Sequence, residues 1–473
     1  MRSSLVYNPG AIEYTIFTTD SRTAYQRTDQ AMTMKNQSAY RHTDCREEYR
    51  SRLVRACDAV SHVRSFDRVV LGHACAEPKS LVEALLGRAS ELKGVEIVHM
   101  LPINSSRYCE SLYRESFRHN SFFVGKSTRH AVNHGAADYT PCYFYQIPHL
   151  FRDGTLPVDV AMVMVSPPDE QGRMSLGISV DYTRGAALAA RTVIAEINPN
   201  MPDTGGSSYL SLDDVDWLVE SDDPLMELPL PEAGPHDAAI GGNVASLIKD
   251  GDCLQIGFGS IPEAVVRELS GKKDLGIHSE LITDSIMHLV ESGVVTCRRK
   301  NFKPGKIIAN LAMGTQRLYE WLHRHPMVEM HPVDFTNDPF VIARNDNMVT
   351  INSAIAVDLL GQVAADTIGP RQYSGVGGQV DFVRGAAHSR GGRNIIALPS
   401  ATSDGKTSRI VCALERGSAV TTSRHDVDYI ATEHGVVRLK GLSSRQRSRA
   451  LIGIAGPAFR DQLEEQCREL YGW

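Results

Sequence analysis

Glu280 closes the apolar run LGIHSE, Leu275 to Glu280, and is followed by Asp284 and Ser285, either of which can cap a helix running to about Ser292 before Gly293. A carboxylate at the carboxyl end of a strand stands at the edge where open α/β sheets bind their ligands. Exposed there beside a helix N-terminus, it is expected to stay ionised, since a free glutamate titrates near about 4.3 and the helix dipole lowers that value. An ionised carboxylate can act as a nucleophile or hold a cation. An ordinary surface or capping carboxylate carries the same local signature.

Two glycine-rich segments could supply the complementary chemistry. The turn Gln255, Ile256, Gly257, Phe258, Gly259, Ser260, Ile261, Pro262 lets backbone amides approach a ligand at a helix N-terminus. It lacks the third glycine of a dinucleotide fingerprint, and no Lys-Ser/Thr pair follows as in a P-loop. A plain strand-to-helix turn reads the same way. The segment YSGVGGQVDF, Tyr373 to Phe382, gathers Gly375, Gly377 and Gly378, a density that can turn several N–H groups toward one oxyanion or simply make a tight bulged turn. Lys406, in SDGKTSRI, could neutralise a carboxylate or phosphate, or stand as a solvated loop lysine.

Other chemistries are disfavoured. No GxSxG elbow is present, and His278 lies in a strand pattern where a buried or turn-facing imidazole is expected. His130 and His134 are four apart without the glutamate of HExxH, and the nine scattered cysteines show no zinc-ligand spacing, so no metal is expected. The cysteine pattern instead suits reduced thiols in a cytoplasmic compartment. A net charge of -6 argues against a nucleic-acid partner. No apolar run approaches the ~20 residues that would cross a bilayer. Residues 1–46 lack the apolar core of a signal peptide and are expected to form a poorly ordered leader.

The elements that must position these residues alternate between strand and helix, which predicts α/β architecture with mainly parallel sheets. Strands are expected at Val69 to Gly72, Val95 to Leu101, Val160 to Val165 and Thr192 to Ile197. A second set is expected at Cys253 to Gly257, Gly276 to Glu280, Ile307 to Leu311, Ile395 to Pro399 and Tyr429 to Glu433. The proline-punctuated acidic stretch from Asp222 to Pro235 suits neither a helix interior nor a central strand and marks the boundary between domains at 47–230 and 231–473. The halves echo each other. RVVLGHACAEPKSLVEALLGRA from Arg68 and DCLQIGFGSIPEAVVRELSG from Asp252 each read as a strand, a small-residue turn, a proline in the first helical turn and a helix. A Gly- and His-containing strand follows both, at Gly94 and Leu275.

Three long segments, ADYTPCYFYQIPHLFRDG from Ala137, DVAMVMVSPPDEQGRMSLGISVDYT from Asp159 and AEINPNMPDTGG from Ala195, precede GFGSIP, GIHSEL, DFTNDPF, YSGVGGQVDF and TEHGVVRLKG in that order. From about Glu47 onward this ordered set is similar to the acetyl-CoA hydrolase/transferase family, in particular its 4-hydroxybutyrate and butyrate:acetate CoA-transferase branch. The resemblance implies two related α/β domains of the NagB/RpiA/CoA-transferase-like type, and a CoA-transferase that passes CoA between a short acyl-CoA and a free acid. It implies Glu280 as the nucleophile, through a glutamyl-CoA thioester, with oxyanion donors at Gly259 and Gly378. CoA is implied against Gln255, Ile256, Gly257, Phe258, Gly259, Gly375, Gly377 and Gly378, with Lys406 near it and Asn337 and Glu433 positioning carboxylates. CoA thioesters are then substrates, no cofactor is permanently bound, and a homodimer is expected. Ser260 and Ser285 stand where relatives commonly have glycine, which would tune substrate choice. An acyl-CoA hydrolase on the same scaffold, or a binding module without catalysis, remains open.

Overall fold

The run VAMVMV at Val160–Val165 is buried at every position, as befits a strand in a parallel sheet covered on both faces. The computed structural model describes residues 45–103, 106–229, 231 and 234–473; of the expected leader, 1–46, residues 1–44 lie outside the described residues, while Cys45 and Arg46 are not loose but open the helix Cys45–Arg52. The buried run is near the middle of a seven-stranded sheet. In chain order its strands are β1 (Arg68–Leu71), β2 (Val95–Val98), β3 (Phe117–Ser121), β4 (Asp138–Tyr139), β5 (Val160–Val165), β6 (Thr192–Ile197) and β7 (Trp217–Glu220). They lie side by side as β7-β6-β5-β1-β2-β3-β4, parallel throughout, with Val69 facing Ile97 on one side and Val160 on the other.

A six-stranded sheet follows, built from β8 (Cys253–Ile256), β9 (Gly276–Ile277), β10 (Met348–Ser353), β11 (Arg393–Ala397), β12 (Tyr429–Thr432) and β13 (Gly435–Arg438). Its order is β9-β8-β10-β11-β12-β13, antiparallel only at the β12–β13 hairpin. The echo seen in the sequence therefore extends to topology, because β2-β1-β5-β6-β7 and β9-β8-β10-β11-β12 follow the same path. The chain from 222 to 229, between β7 and β8, contains no helix or strand. The halves nonetheless interlock: the short strand Gly205–Gly206 pairs with Val328–Met330, beside Ile307–Ala309.

Five helices matter for the site: α1 (Lys79–Gly87), α2 (Arg129–Asn133), α3 (Ser260–Arg267), α4 (Asp284–Glu291) and α5 (Gln379–His388). Leu81 and Leu85 of α1, at i, i+4 spacing, pack with Val69, Leu71, Val160 and Met162 in one core. Each fully buried leucine contributes roughly 1.5–3 kcal/mol, which fixes α1 against the sheet and the β1 turn with it. In α3, Val265 and Val266 are buried likewise.

Two expected strands are shorter than their apolar pattern. The ladder of β9 ends at Ile277, and the chain then crosses to a separate pair, Leu281–Ile282 beside Leu311–Ala312. The run from Ile307 breaks at Asn310, since the amides of Asn310 and Leu311 both donate to the Glu280 carbonyl, at 3.2 and 3.0 Å. Both interruptions fall at the candidate site. Among the described residues no helix is long and apolar enough to cross a membrane, and all nine cysteines are free.

Candidate active site

The backbone at Glu280 is held from both sides before its side chain makes any contact. Ser279 is fully buried and its hydroxyl donates to the Ile256 carbonyl at 3.3 Å, which seats the strand end against the Gly257 turn. His278 is a strut: Nε2 donates to the Thr336 carbonyl at 2.8 Å and Nδ1 accepts from Asn345 at 3.2 Å. Burial pushes its pKa down to about 3, so it stays neutral, the buried imidazole expected at this position.

The Glu280 carboxylate accepts a hydrogen bond from Asn337 Nδ2 at 2.8 Å and another from the backbone N–H of Gly378. Asn337 is oriented by Asn310, whose Nδ2 donates to Asn337 Oδ1 at 2.9 Å. The same Asn337 Nδ2 lies 3.5 Å from Asp381 Oδ2, which also accepts from the Tyr145 amide at 3.2 Å. Gly378 has an ordinary negative φ, so its lack of a side chain serves proximity: an added Cβ would collide with Glu280 Oε2 and Asn337 Nδ2. Gly377, by contrast, takes φ +53°, a left-handed conformation that glycine adopts without strain.

The exposed, fully ionised carboxylate anticipated from the sequence is corrected here. Glu280 keeps part of its surface accessible, yet protein atoms crowd the carboxyl group closely enough to raise its pKa to about 7. Burial is the dominant cause; the Asn337 hydrogen bond, His73 and the Gly378 amide pull the value back down, and Asp181 pushes it up. Asp381, fully enclosed, is raised well above the usual carboxylate range by burial first and by the charge of Glu280 second.

Four residues at the site had not been singled out from sequence: His73, Asp181, Asn310 and Asp381. His73 follows β1 and is buried, and its Nδ1 is hydrogen-bonded with Asp181 Oδ2 at 3.0 Å. Ser179 and Thr183 fix Asp181 through hydroxyl bonds of 2.9 and 3.1 Å. The amides of Val180 and Asp181 donate to the Asn310 carbonyl, and the Val333 amide donates to that of Asp181, so the first half is tied to the segment bearing Asn337. Within the echo, His73 stands after its glycine as Phe258 does after Gly257. That strand-end position was the available signal.

Gln255 and Ile256 are buried within β8, with Gln255 and Asn352 exchanging amide hydrogen bonds at 3.2 and 3.1 Å, so they brace the turn from behind. Gly257, Phe258 and Gly259 form the turn itself, with Phe258 exposed as an apolar surface. Gly375 lies against the Phe122 carbonyl and Phe123. Lys406 sits in an exposed turn where its amide donates to Asp404 at 3.2 Å, and Glu433 is fastened by the Ser400 amide and hydroxyl at 2.9 and 2.7 Å; neither hydrogen-bonds Glu280. Burial raises the Glu433 pKa, but these Ser400 bonds, together with its own backbone amide and His434, outweigh it and the net shift is downward. The N-cap of α4 is Thr283 rather than Asp284 or Ser285. Asp284 is engaged by Thr315, and the Ser285 hydroxyl turns to Glu263. Among the described residues no cluster of three His, Cys, Asp or Glu side chains could hold a metal ion.

Comparison with known proteins gives two family matches, the acetyl-CoA hydrolase/transferase N-terminal domain over residues 32–228 and the C-terminal domain over residues 314–467. The first begins at residue 32, ahead of Glu47, where the resemblance was expected to start, so the family match includes the end of the expected leader. A 4-hydroxybutyrate coenzyme A transferase of Clostridium kluyveri is 51% identical, over 90% of this chain and 99% of its own. A succinyl-CoA:cyclohexane-1-carboxylate CoA transferase of Geobacter metallireducens is 43% identical, over 90% and 97%. The crystal structure of RipA from Yersinia pestis superposes with a TM-score of 0.87 at 36% identity, over 91% of this chain and all of the other.

Proposed function

The chain belongs to the acetyl-CoA hydrolase/transferase family, and from that premise we propose that it exchanges CoA between a short-chain acyl-CoA and a free carboxylic acid, such as acetate, butyrate or 4-hydroxybutyrate, through a thioester on Glu280. The observation that carries this reading is a partly accessible carboxylate held by the Asn337 amide and the Gly378 N–H at the junction of two sheets.

In the proposed sequence, a Glu280 oxygen attacks the thioester carbonyl. The C–S bond breaks, CoA thiolate leaves, and an acyl-glutamyl anhydride remains. The thiolate then attacks the glutamyl carbonyl, the anhydride C–O bond breaks, and the acid departs as carboxylate, leaving glutamyl-CoA. An incoming acid reverses both steps. No proton moves, so no general base is needed; what the site must supply is an ionised nucleophile and donors for two oxyanions. With a pKa of about 7, Glu280 is substantially ionised at neutral pH, and partial desolvation leaves it less shielded by water than a surface carboxylate. The Gly378 amide, with that of Gly259 across the turn, is suited to the oxyanions, where a single donor contributes roughly 3–4 kcal/mol. Asn337 keeps the attacking oxygen aimed. Gln255 to Gly259 and Gly375 to Gly378 form the CoA-facing surface in this reading, with Lys406 and Glu433 acting at its margins.

The same reading divides the chain into domains at 47–230 and 231–473, places it in the cytoplasm, and has it act as a homodimer without a resident cofactor. Incubating the protein with butyryl-CoA, with and without acetate, tests it. Acetyl-CoA should accumulate only when acetate is present, with little free CoA released. Thioester loss at one rate regardless of acetate would establish a hydrolase instead.

A further inference from the structure

Asp381 stands one amide group away from Glu280 and takes no part in the exchange proposed above. It is the third residue of α5, whose first turn opens at Gly378, and it is 1% exposed. Its Oδ2 accepts from the Tyr145 amide at 3.2 Å and lies 3.5 Å from Asn337 Nδ2, while Oδ1 is buried without a hydrogen-bond partner. We propose that Asp381 is a positioning residue that keeps its proton while Glu280 is ionised, so that the two carboxyl groups carry one negative charge and Asn337 stays on Glu280. The inference deepens the transferase reading and rests on it for its kinetic measurements.

The hydrogen bonds of the two groups are unequal. Glu280 has the Asn337 amide at 2.8 Å and the Gly378 N–H, whereas Asp381 has one donor at ordinary distance and one at the long limit. Donors favour the charged form of a carboxyl group, so of two neighbours that repel each other the charge settles on Glu280 and the proton on Asp381. An enclosed hydroxyl without an acceptor costs less than an enclosed charge. Burial, and then the charge of Glu280, push Asp381 in the same direction, above the usual carboxylate range.

Among the described residues no cation is paired with Asp381. Arg384, one turn further along α5, lies 5.0 Å over the Tyr143 ring and 3.6 Å from Asp426, and acts on Asp381 only at a distance. Cys142 is a thiol that burial pushes up to about 11, so it brings no charge near neutral pH. The helix Pro339–Ile342 and the strand β10, both packed on α5, have no titratable side chain, and the Asp338 cap of that helix accepts from the Phe340 amide at 2.8 Å. Arg393 of β11 is paired with Asp252.

A neutral Asp381 serves the site through its neighbours. Asn337 Nδ2 has two hydrogens, and an acceptor on the Asp381 side holds one of them while the other stays on Glu280. The Tyr145 bond ties the first turn of α5 to the short helix Phe144–Gln146, with Gly378 turned to Glu280. An ionised Asp381 would compete for the Asn337 amide and repel the Glu280 charge.

The test compares Asp381→Asn, which keeps the shape and an acceptor oxygen but cannot ionise, with Asp381→Ala, both in the full-length protein. With butyryl-CoA and acetate, Asp381→Ala should lose about tenfold or more in kcat with KM changed by less than about threefold, and Asp381→Asn should recover most of that loss. The acid limb of kcat/KM, at about pH 7 in the wild type, should move by less than about 0.3 unit in Asp381→Asn, since an amide and a protonated acid are alike to Glu280. A limb displaced downward by about one unit or more would show Asp381 ionised beside Glu280 and would overturn the proposal. So would an Asp381→Asn variant as slow as Asp381→Ala, or an Asp381→Ala variant as active as the wild type. Infrared difference spectra of wild type against Asp381→Asn at pH 8 give a reading free of turnover. The C=O band of a protonated carboxyl group should be present in the wild type alone; a carboxylate band in its place would contradict the proposal. If the C=O band is there and no CoA reaches an acid, the charge arrangement stands and the transferase reading falls.

Discussion

The turns after β1 and β8 share one plan, a strand entering through a glycine and a helix leaving through a proline, but they hold opposite contents. After β8 the turn is Gly257, Phe258, Gly259, with Phe258 exposed. After β1 every residue from Gly72 to Pro78 is buried, His73 is bound to Asp181, and neither Glu77 oxygen has a hydrogen-bond partner. Burial, with the charges of Glu83 and Glu196 adding to it, lifts the Glu77 pKa to about 8. One copy of the unit thus leaves its glycine turn open at the surface, while the other has become a closed wall that stores ionisable groups, with His73 near enough to bear on the Glu280 carboxyl group. Duplicated scaffolds can divide work in this way because topology sets only where a turn lies. The side chains decide whether it opens to solvent.

Four experiments would break or sharpen this contrast. Glu280→Gln keeps the shape and removes the nucleophile, so transfer between two acids should fall at least ~10⁴-fold, as removal of a covalent nucleophile does. Undiminished exchange would end the account. Gly378→Ala forces a methyl group into Glu280 and Asn337. We expect a loss of ~10²–10³ in kcat, with melting temperature changed far less than activity. A variant that is merely unstable would show the reverse.

The wall should respond in stability rather than in chemistry. A glutamate whose folded pKa is raised from about 4.5 to about 8 carries no penalty below pH 4.5; the penalty grows as pH rises toward 8 and is constant above that. Glu77→Gln should therefore stabilise the protein by on the order of 5 kcal/mol at pH 9 and scarcely at pH 5, read from denaturant midpoints. Equal effects at both pH values would show that the carboxyl group is not held neutral. Glu280 has the smallest signature, a pH profile. Because the protonated acid cannot attack, kcat/KM should fall about tenfold per unit below pH 7 and level off above it.

Much of the architecture was legible in the residues. The apolar runs at Val160 and Thr192 give β5 and β6 with their expected bounds, and the echoed strand–turn–helix units appear at corresponding sheet positions. Two of the strands that escaped notice have buried polar residues: β10, MVTINS, hides Thr350 and pairs Asn352 with Gln255, and β3 buries His119. Periodicity cannot separate such strands from loops, since their polar groups are satisfied by partners distant in sequence. Glu280, Asn337 and Gly378 lie together in the structure, and Glu280 and Gly378 stand out in the sequence by residue type and local pattern. The raised pKa of Glu280 could not be read there, because the groups that act on it and with it, Asn337, His73, Asp181 and Asp381, are all far away along the chain. His73 and Asp181 were invisible for the same reason: each is ordinary locally, and only the folded chain pairs them.

The most direct test is to trap the intermediate. The protein is incubated with butyryl-CoA, quenched, digested and mapped by mass spectrometry, with a borohydride-treated sample in parallel. The account predicts a CoA adduct on the peptide containing Glu280, converted by borohydride to the corresponding alcohol and absent from Glu280→Gln. An unmodified Glu280 peptide from protein that is actively exchanging CoA would contradict it.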